Sequence, residues 1–315
     1  MDKLEKNFKP LEEFIFPLGY KLTEEHKANI NVSNKDNFYI YNYNSNIVLV
    51  PRDDPIIKMC RGLVLDDSGD VMAYPFDRFF NSCEPECAPV DFSNADVLEK
   101  LDGSLMIVWW NGSEWEVTTR GSFYPVEGSL DYKETFKRLF NGFDKLDKKN
   151  CWLFEMMSKD NPIVTRYDSE KVVLIGARTL YTLRELNQDE LDLIAYQFGV
   201  ERPRRFKASN IEECKKLFEQ FREDEEGLVV VDKDFKRMKI KQESYLKMAR
   251  IMSLKNQDIL DFILGKSELD GDFKGMHDVE ERIEKVRWLY NEVKSYCENL
   301  IKIIGEYDTD KDFAE

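Results

Sequence analysis

The chain has 315 residues, 42% hydrophobic and 13% aromatic, with a formal charge of −15 at pH 7. That length allows one large domain or two ordinary ones with a sizeable core, and the aromatic content excludes a disordered chain. Phosphate binding runs on Lys and Arg displacing counterions, so the net charge counts mildly against nucleic acid as a partner.

Charge is not evenly spread, however. Residues 233–250 carry Lys233, Lys236, Arg237, Lys239, Lys241, Lys247 and Arg250 against Asp234 and Glu243, which predicts a local basic surface. Six cysteines occur with only Cys83 and Cys87 close together, and two histidines cannot complete a zinc site, so free intracellular thiols are expected. The charged start, Met-Asp-Lys-Leu-Glu-Lys, has no signal-peptide core, and no apolar run approaches membrane-spanning length. A soluble, cytoplasmic protein without membrane association is the expectation.

Residues 1–30, broken by Pro10 and Pro17, read as a peripheral helix or extended segment. From Phe38 the pattern is a meander of short β-rich runs, Phe38–Tyr43, Ile47–Val50, Gly62–Leu65 and Val71–Tyr74, separated by Asn, Asp, Pro and Gly. Arg61, just before a strand, is either a surface arginine or a planar fork aimed at phosphate. In Arg78-Phe-Phe-Asn81 the rings of Phe79 and Phe80 are more often core than ligand contacts.

The stretch Val97 to Leu105, Val-Leu-Glu-Lys-Leu-Asp-Gly-Ser-Leu, sets an Asp-Gly pair between two apolar runs and predicts strand, tight turn, strand. Lys100 lies near the end of the first strand in the form Lys-x-Asp-Gly. Asn111-Gly112 marks a second hairpin, followed by a strand Trp115–Thr119 that ends in Arg120. Spacings of three and four at Tyr132, Phe136, Leu139, Phe140 and Phe143 predict an amphipathic helix over 132–146.

Cys151–Met156 reads as a buried strand carrying Glu155, a carboxylate that is either salt-bridged or an acceptor for a ligand hydroxyl. Lys171–Ala177 reads as a fully buried strand. Asn187 with Glu190, and Ser209 with Glu212, predict two capped helices. Glu226-Gly227 leads a strand to Val231. In the run Phe235–Lys241, strand alternation puts Lys239 and Lys241 on one face, an arrangement suited to polyphosphate or to a lysine-guarded edge strand.

Beyond residue 243 only helices are predicted. In the last one, Val279, Ile283, Val286, Tyr290, Val293, Cys297, Leu300 and Ile304 form a packing seam, more in keeping with a small helical domain than with a coiled-coil dimer. The acidic tail after Tyr307 is expected to fray.

Taken in order, Lys100-Leu-Asp-Gly-Ser, the Glu155 strand, Glu226-Gly227 and Lys239-Ile-Lys241 resemble the motifs of ATP-dependent polynucleotide ligases and capping enzymes. Within that superfamily, Asp102-Gly-Ser-Leu105, Arg61-Gly62, Arg78-Phe-Phe-Asn81 and Phe154–Val164 resemble the phage-type RNA ligases that repair tRNA, over about residues 35–250. The resemblance implies an α+β fold: a nucleotidyltransferase domain of antiparallel sheets flanked by helices (1–242) and a small all-helical C-terminal domain (243–315). DNA ligases and capping enzymes continue instead into an OB-fold, and this chain turns helical there.

The resemblance also implies chemistry. Lys100 would form lysyl-AMP from ATP, its amine freed by neighbouring positive charge or burial, with Lys239 and Lys241 acting on the reacting phosphate. Arg61, Arg78, Phe80, Gly103, Arg120, Glu155, Glu226 and Gly227 would join these lysines in holding the nucleotide. Glu155 would take a ribose hydroxyl, and Glu226 would orient magnesium, with manganese as a substitute. Substrates would be RNA 5'-phosphate and 3'-hydroxyl ends, broken tRNA among them. A monomer working beside an end-healing kinase/phosphatase, in a host cytoplasm if the gene is viral, completes the expectation. Alternatives are a non-catalytic nucleotide- or RNA-binding protein of the same fold, or a DNA ligase or guanylyltransferase relative.

Overall fold

The computed structural model describes residues 7–128, 130–158, 164–253, 255–266 and 277–305. The chain divides into two compact units, Met1–Gln242 and Glu243–Glu315. The first six residues, the tail after Tyr307 and residues 159–163 of the Glu155 motif lie outside the described residues.

In the first unit, β1 (Ile30–Lys35), β2 (Phe38–Tyr43), β3 (Arg61–Asp66) and β4 (Val71–Ala73) form an antiparallel sheet in chain order. Strand alternation splits its side chains. Tyr41, Leu63 and Leu65 pack towards α1 (Lys9–Ile15) and α3 (Pro55–Met59), and Ile40, Val64 and Ala73 pack on the other face. The polar run Ile-Asn-Val-Ser-Asn-Lys gives little strand signal, yet β1 pairs with β2 along six residues, from Ile30↔Tyr43 to Lys35↔Phe38. The expected strand Ile47–Val50 is a loop: Ile47 and Val50 pack on the first core and the Val48 amide donates to Asn29 Oδ1, but Val48 is 79% and Leu49 57% exposed and the segment joins no sheet. Before β1, the chain folds as α1 and α2 (Glu24–Ala28).

A second sheet combines β7 (Ser104–Trp110), β8 (Trp115–Thr118), β11 (Asn150–Met157), β12 (Lys171–Thr179) and β13 (Arg184–Glu185) in the order β13-β12-β11-β7-β8. A third combines β5 (Phe80–Asn81), β6 (Asp96–Lys100), β14 (Arg205–Phe206), β15 (Gly227–Val231) and β16 (Arg237–Lys241) as β14-β6-β15-β16-β5. A short ribbon pairs β9 (Val126–Glu127) with β10 (Leu130–Asp131).

The Lys100 stretch is therefore not a hairpin. β6 and β7 leave the Asp102-Gly103 turn into different sheets. The Asp102 carboxylate is buried and accepts the Val164 and Thr165 amides at 2.8 Å each, and these bonds tie the turn to a distant segment instead of closing it on itself. The Asn111-Gly112 turn does close a hairpin, with Trp110 opposite Trp115 and Gly112 at φ +101°.

Two helices differ from their predicted spans. α4 (Tyr132–Leu139) stops well before residue 146, where Phe140 turns extended ahead of Asn141-Gly142, yet Phe140 and Phe143 still pack on the α4 core. α5 (Gln188–Phe198) starts at the predicted Asn187–Glu190 capping box, whereas α6 (Ile211–Lys216) is capped one residue later than predicted, by Asn210 on the Glu213 amide.

A buried ion cluster links the sheets. Glu185 of β13 accepts from Arg178 of β12 at 2.8 Å and from Arg237 of β16, whose guanidinium stacks 4.2 Å from the Phe76 ring. Arg237 is thus buried structure, not part of the basic surface expected of residues 233–250.

In the second unit, α7 (Glu243–Met252), α8 (Asn256–Ile263) and α9 (His277–Gly305) follow one another. The predicted α9 seam is covered only in its first part: Ile283 is buried and Val286 and Tyr290 are half-buried, whereas Val293, Cys297 and Leu300 are exposed. The side chains of Val279 and Ile304 lie outside the described residues. Eight-residue α8 spans about 12 Å against about 43 Å for α9, so it cannot cover the full seam.

Candidate active site

The third sheet lines up the lysines. Gly227 of β15 sits opposite Lys100 on one side and Lys241 on the other. Alternation then sends Leu228, Val230, Met238 and Ile240 into one core, while Val229, Val231, Lys239 and Lys241 line a cavity of about 360 Å³. The Gly227 row demands glycine: φ is +142°, and a Cβ would stand 2.2 Å from the Ile240 carbonyl oxygen.

Glu226 enters β15 only 4% exposed and is held by two ammoniums, Lys100 at 2.5 Å and Lys241 at 2.7 Å. The charge nearest the candidate nucleophile is therefore a carboxylate, where neighbouring positive charge or burial was expected to free the amine. Cationic crowding falls on Lys239 instead. Burial, then Lys100, Arg61 and Lys241, lower it to about 8.

Glu155, at the end of β11, completes the floor. The Gly103 amide donates to its Oε1 at 3.1 Å, and burial raises its pKa to about 7, with Lys100 opposing and Glu226 adding to the shift. Of the alternatives for Glu155, no salt bridge holds it among the described residues, and its carboxylate lines the cavity. Gly103 meets β11 closely enough that a Cβ would lie 2.6 Å from the Met156 carbonyl oxygen.

Arginines supply the remaining charge. Arg61 at the start of β3 is pulled down to about 10 by burial and by Arg120 beside it. Arg120 donates to the Tyr43 hydroxyl at 3.2 Å, and Arg78 stacks on Tyr43 at 4.4 Å and on Phe80 at 5.1 Å. Arg78 Nη1 is buried and has no hydrogen-bond acceptor among the described residues. Parallel pairing of β5 with β16 sets Asn81 beside Lys239. Phe80 is 3% exposed and lines the cavity, and so does Phe79, with the Lys239 ammonium 5.2 Å from its ring.

The cavity thus collects Arg61, Arg78, Phe80, Lys100, Arg120, Glu155, Glu226, Lys239 and Lys241. Gly103 lines an adjoining cavity instead, and Gly227 lines neither, acting through the backbone. Sequence reading missed Tyr43 and Arg52. Arg52, in a loop, bonds Glu84 at 2.8 Å and stacks 5.4 Å from the Phe80 ring. Neither carries a spacing signal, because both reach the cavity from the first sheet or its loops. An apolar wall of Leu98, Ile175, Pro203 and Val229 faces the same space. Cations at one part and an apolar slot at another suit a nucleoside polyphosphate in chemistry.

The sequence profile of the RNA ligase family matches residues 59–245, more than half of the chain. The chain belongs to the RNA ligase family. Among relatives of this family member is a protein described as a bifunctional polynucleotide kinase/RNA ligase from Autographa californica nuclear polyhedrosis virus, 31% identical over 260 residues. The match takes 74% of this chain but spans only 36% of the viral protein's length. An RNA ligase of Rhodothermus phage RM378 is 25% identical over 346 residues, 87% of this chain and 77% of that one. In fold, this RNA ligase family member is similar to an archaeal ATP-dependent RNA ligase, with a TM-score of 0.55 at 14% identity over 82% of this chain and 73% of that one. Among the described residues no helix is long and apolar enough to cross a membrane.

Proposed function

We propose that this chain is an ATP-dependent RNA ligase that joins 5'-phosphate and 3'-hydroxyl RNA ends through a lysyl-AMP intermediate, in RNA or tRNA repair. The observation that carries the reading is Lys100, ion-paired to a nearly buried Glu226 at the edge of a cavity whose other charges are mainly guanidinium and ammonium groups. In the first step the Lys100 amine, having given up its proton and left Glu226, attacks the α-phosphorus of ATP. A P–N bond forms and the P–O bond to the β-phosphate breaks, so pyrophosphate leaves. Lys239 and Lys241 neutralise the reacting phosphate, and Arg61, Arg78 and Arg120 hold the outgoing phosphates. Glu155 accepts from a ribose hydroxyl.

Among the described residues no cluster of three His, Cys, Asp or Glu side chains could cage a metal. One carboxylate, Glu226, with phosphate oxygens and water, is the donor set that magnesium takes, and manganese can substitute. When bound there, the ion would neutralise phosphate charge.

Residues 1–242 form the adenylylating domain in this reading, and 243–315 a helical domain that selects the RNA. The protein acts as a monomer in the cytoplasm. The viral relative's name joins a polynucleotide kinase to an RNA ligase, which supports an end-healing partner here. The test is incubation with magnesium and α-labelled ATP or GTP, comparing wild type with Lys100→Ala on a denaturing gel. Label from ATP that vanishes with Lys100→Ala and moves to 5'-phosphorylated RNA is expected. Label from GTP alone would move the protein to the capping class, and no label from either, after pyrophosphate treatment to strip bound AMP, refutes the covalent mechanism.

A further inference from the structure

Lys100 faces a second cavity as well. A cleft of about 570 Å³ shares Arg61, Lys100, Arg120 and Glu155 with the nucleotide cavity and runs on past Ser104, Thr119 and Ser122 to Tyr124 and Val126. We propose that this cleft receives the 5'-phosphorylated end of single-stranded RNA, with Arg120 on the phosphate and Tyr124 as the platform for a terminal base. The proposal deepens the ligase reading and rests on it.

The second chemical step requires such an entrance. An oxygen of the RNA 5'-phosphate must bond to the α-phosphorus of lysyl-AMP while the P–N bond to Lys100 breaks and the amine takes up a proton. Displacement at phosphorus is in line, so the RNA phosphate reaches the α-phosphorus from the side away from Lys100, the place pyrophosphate has just left, where Arg61 and Arg120 border both cavities. The second cleft opens onto the same lysine.

The wall of the cleft suits this occupant. Tyr124 is 67% exposed and Val126 61%, a small apolar shelf beside a guanidinium and an ammonium. The Tyr124 backbone amide donates to Ser122 Oγ at 3.0 Å, and the Lys35 ammonium, ion-paired to Glu116, lies 5.9 Å from the ring centroid. Glu127, a carboxylate on the same wall, is engaged by the Tyr132 hydroxyl at 2.6 Å. Cations that follow a phosphate backbone, next to an exposed aromatic ring on which a base can stack, are how proteins bind single strands without reading sequence.

The experiment measures two rates on each variant: lysyl-AMP formation from ATP, and single-turnover transfer of AMP from the preformed lysyl-AMP enzyme to a 5'-phosphorylated oligoribonucleotide. With Tyr124→Ala, the RNA concentration giving half-maximal transfer should rise roughly ten-fold relative to wild type, out of proportion to any change in lysyl-AMP formation. Tyr124→Phe, which keeps the ring, should restore it. Val126→Asp, which sets a carboxylate on the shelf, should also raise it. Transfer by Tyr124→Ala at the wild-type RNA concentration would overturn the proposal. So would a parallel loss of transfer, lysyl-AMP formation and pyrophosphate-driven reversal, since the cleft would then serve the triphosphate. Failure of the ligase reading looks different, because wild type itself would take no label from ATP.

Discussion

Glu226→Gln should destabilise the nucleotide-free protein by about 3 kcal/mol. Glu226 is 4% exposed, and its two carboxylate oxygens hold Lys100 at 2.5 Å and Lys241 at 2.7 Å. Glutamine fills the same volume without the charge. The two ammoniums, held to one carboxylate and so at most about 7 Å apart, then face each other uncompensated, and at an effective dielectric near 20 they repel by at least about 2 kcal/mol. The loss of two charge-assisted hydrogen bonds adds to that. Lys241→Met removes one of the like charges, so Glu226→Gln combined with Lys241→Met should regain about 2 kcal/mol of what the single variant loses. Urea unfolding followed by tryptophan fluorescence gives all three stabilities. If Glu226→Gln unfolds at the wild-type urea midpoint, or the double variant is weaker than the single one, the carboxylate is not holding the two lysines together.

The remaining predictions concern pH, geometry and the buried ion cluster. Glu155 is the stronger hydrogen-bond acceptor when ionised and its pKa is raised to about 7, so kcat/KM for lysyl-AMP formation should climb as pH rises through that value. Lys239 grips phosphate only when protonated and is lowered to about 8, so the same constant should fall as pH rises through 8; Glu155→Gln should erase the first limb and Lys239→Arg the second. Because the unfolded chain binds the Lys239 proton more tightly than the folded one, stability should also rise between about 8 and 10.5, a trend that Lys239→Met should reduce in denaturant titrations at several pH values. Gly103→Ala places a methyl 2.6 Å from the Met156 carbonyl oxygen and must shift the turn that bonds Glu155. Stopped-flow adenylylation should then show about a 100-fold slower step in a protein that still unfolds cooperatively. Glu185→Leu strands Arg178 and Arg237 in the interior, and calorimetric or urea unfolding should register a loss of about 3–5 kcal/mol.

The local chemistry of this protein was legible in its sequence wherever neighbouring residues decide the outcome. Strand alternation alone separated Lys239 and Lys241 from Met238 and Ile240, and the structure keeps that division, cavity on one side and core on the other. The Asn187–Glu190 cap and the Asn111-Gly112 turn are likewise settled within a few residues. The ordered motifs around Lys100, Glu155, Glu226 and Lys239 pointed to the family that the profile match established.

What only the tertiary structure decided are the pairings between distant segments. An Asp-Gly pair between apolar runs looks the same whether it closes a hairpin or passes from one sheet to another; the bonds from Val164 and Thr165 to Asp102 made it the latter. The polar run at β1 became a strand because β2 pairs with it, and Ile47–Val50 did not, packing on the first core without joining a sheet. Arg237 looked like one more surface cation until Glu185, 52 residues away in sequence, enclosed it. Tyr43 and Arg52 reached the cavity from the first sheet and its loops without any periodicity to announce them. Sequence spacing fixes which side chains share a face of one strand, whereas charge compensation, burial and the second cleft at Lys100 depend on which strands and loops meet, and folding alone settles that.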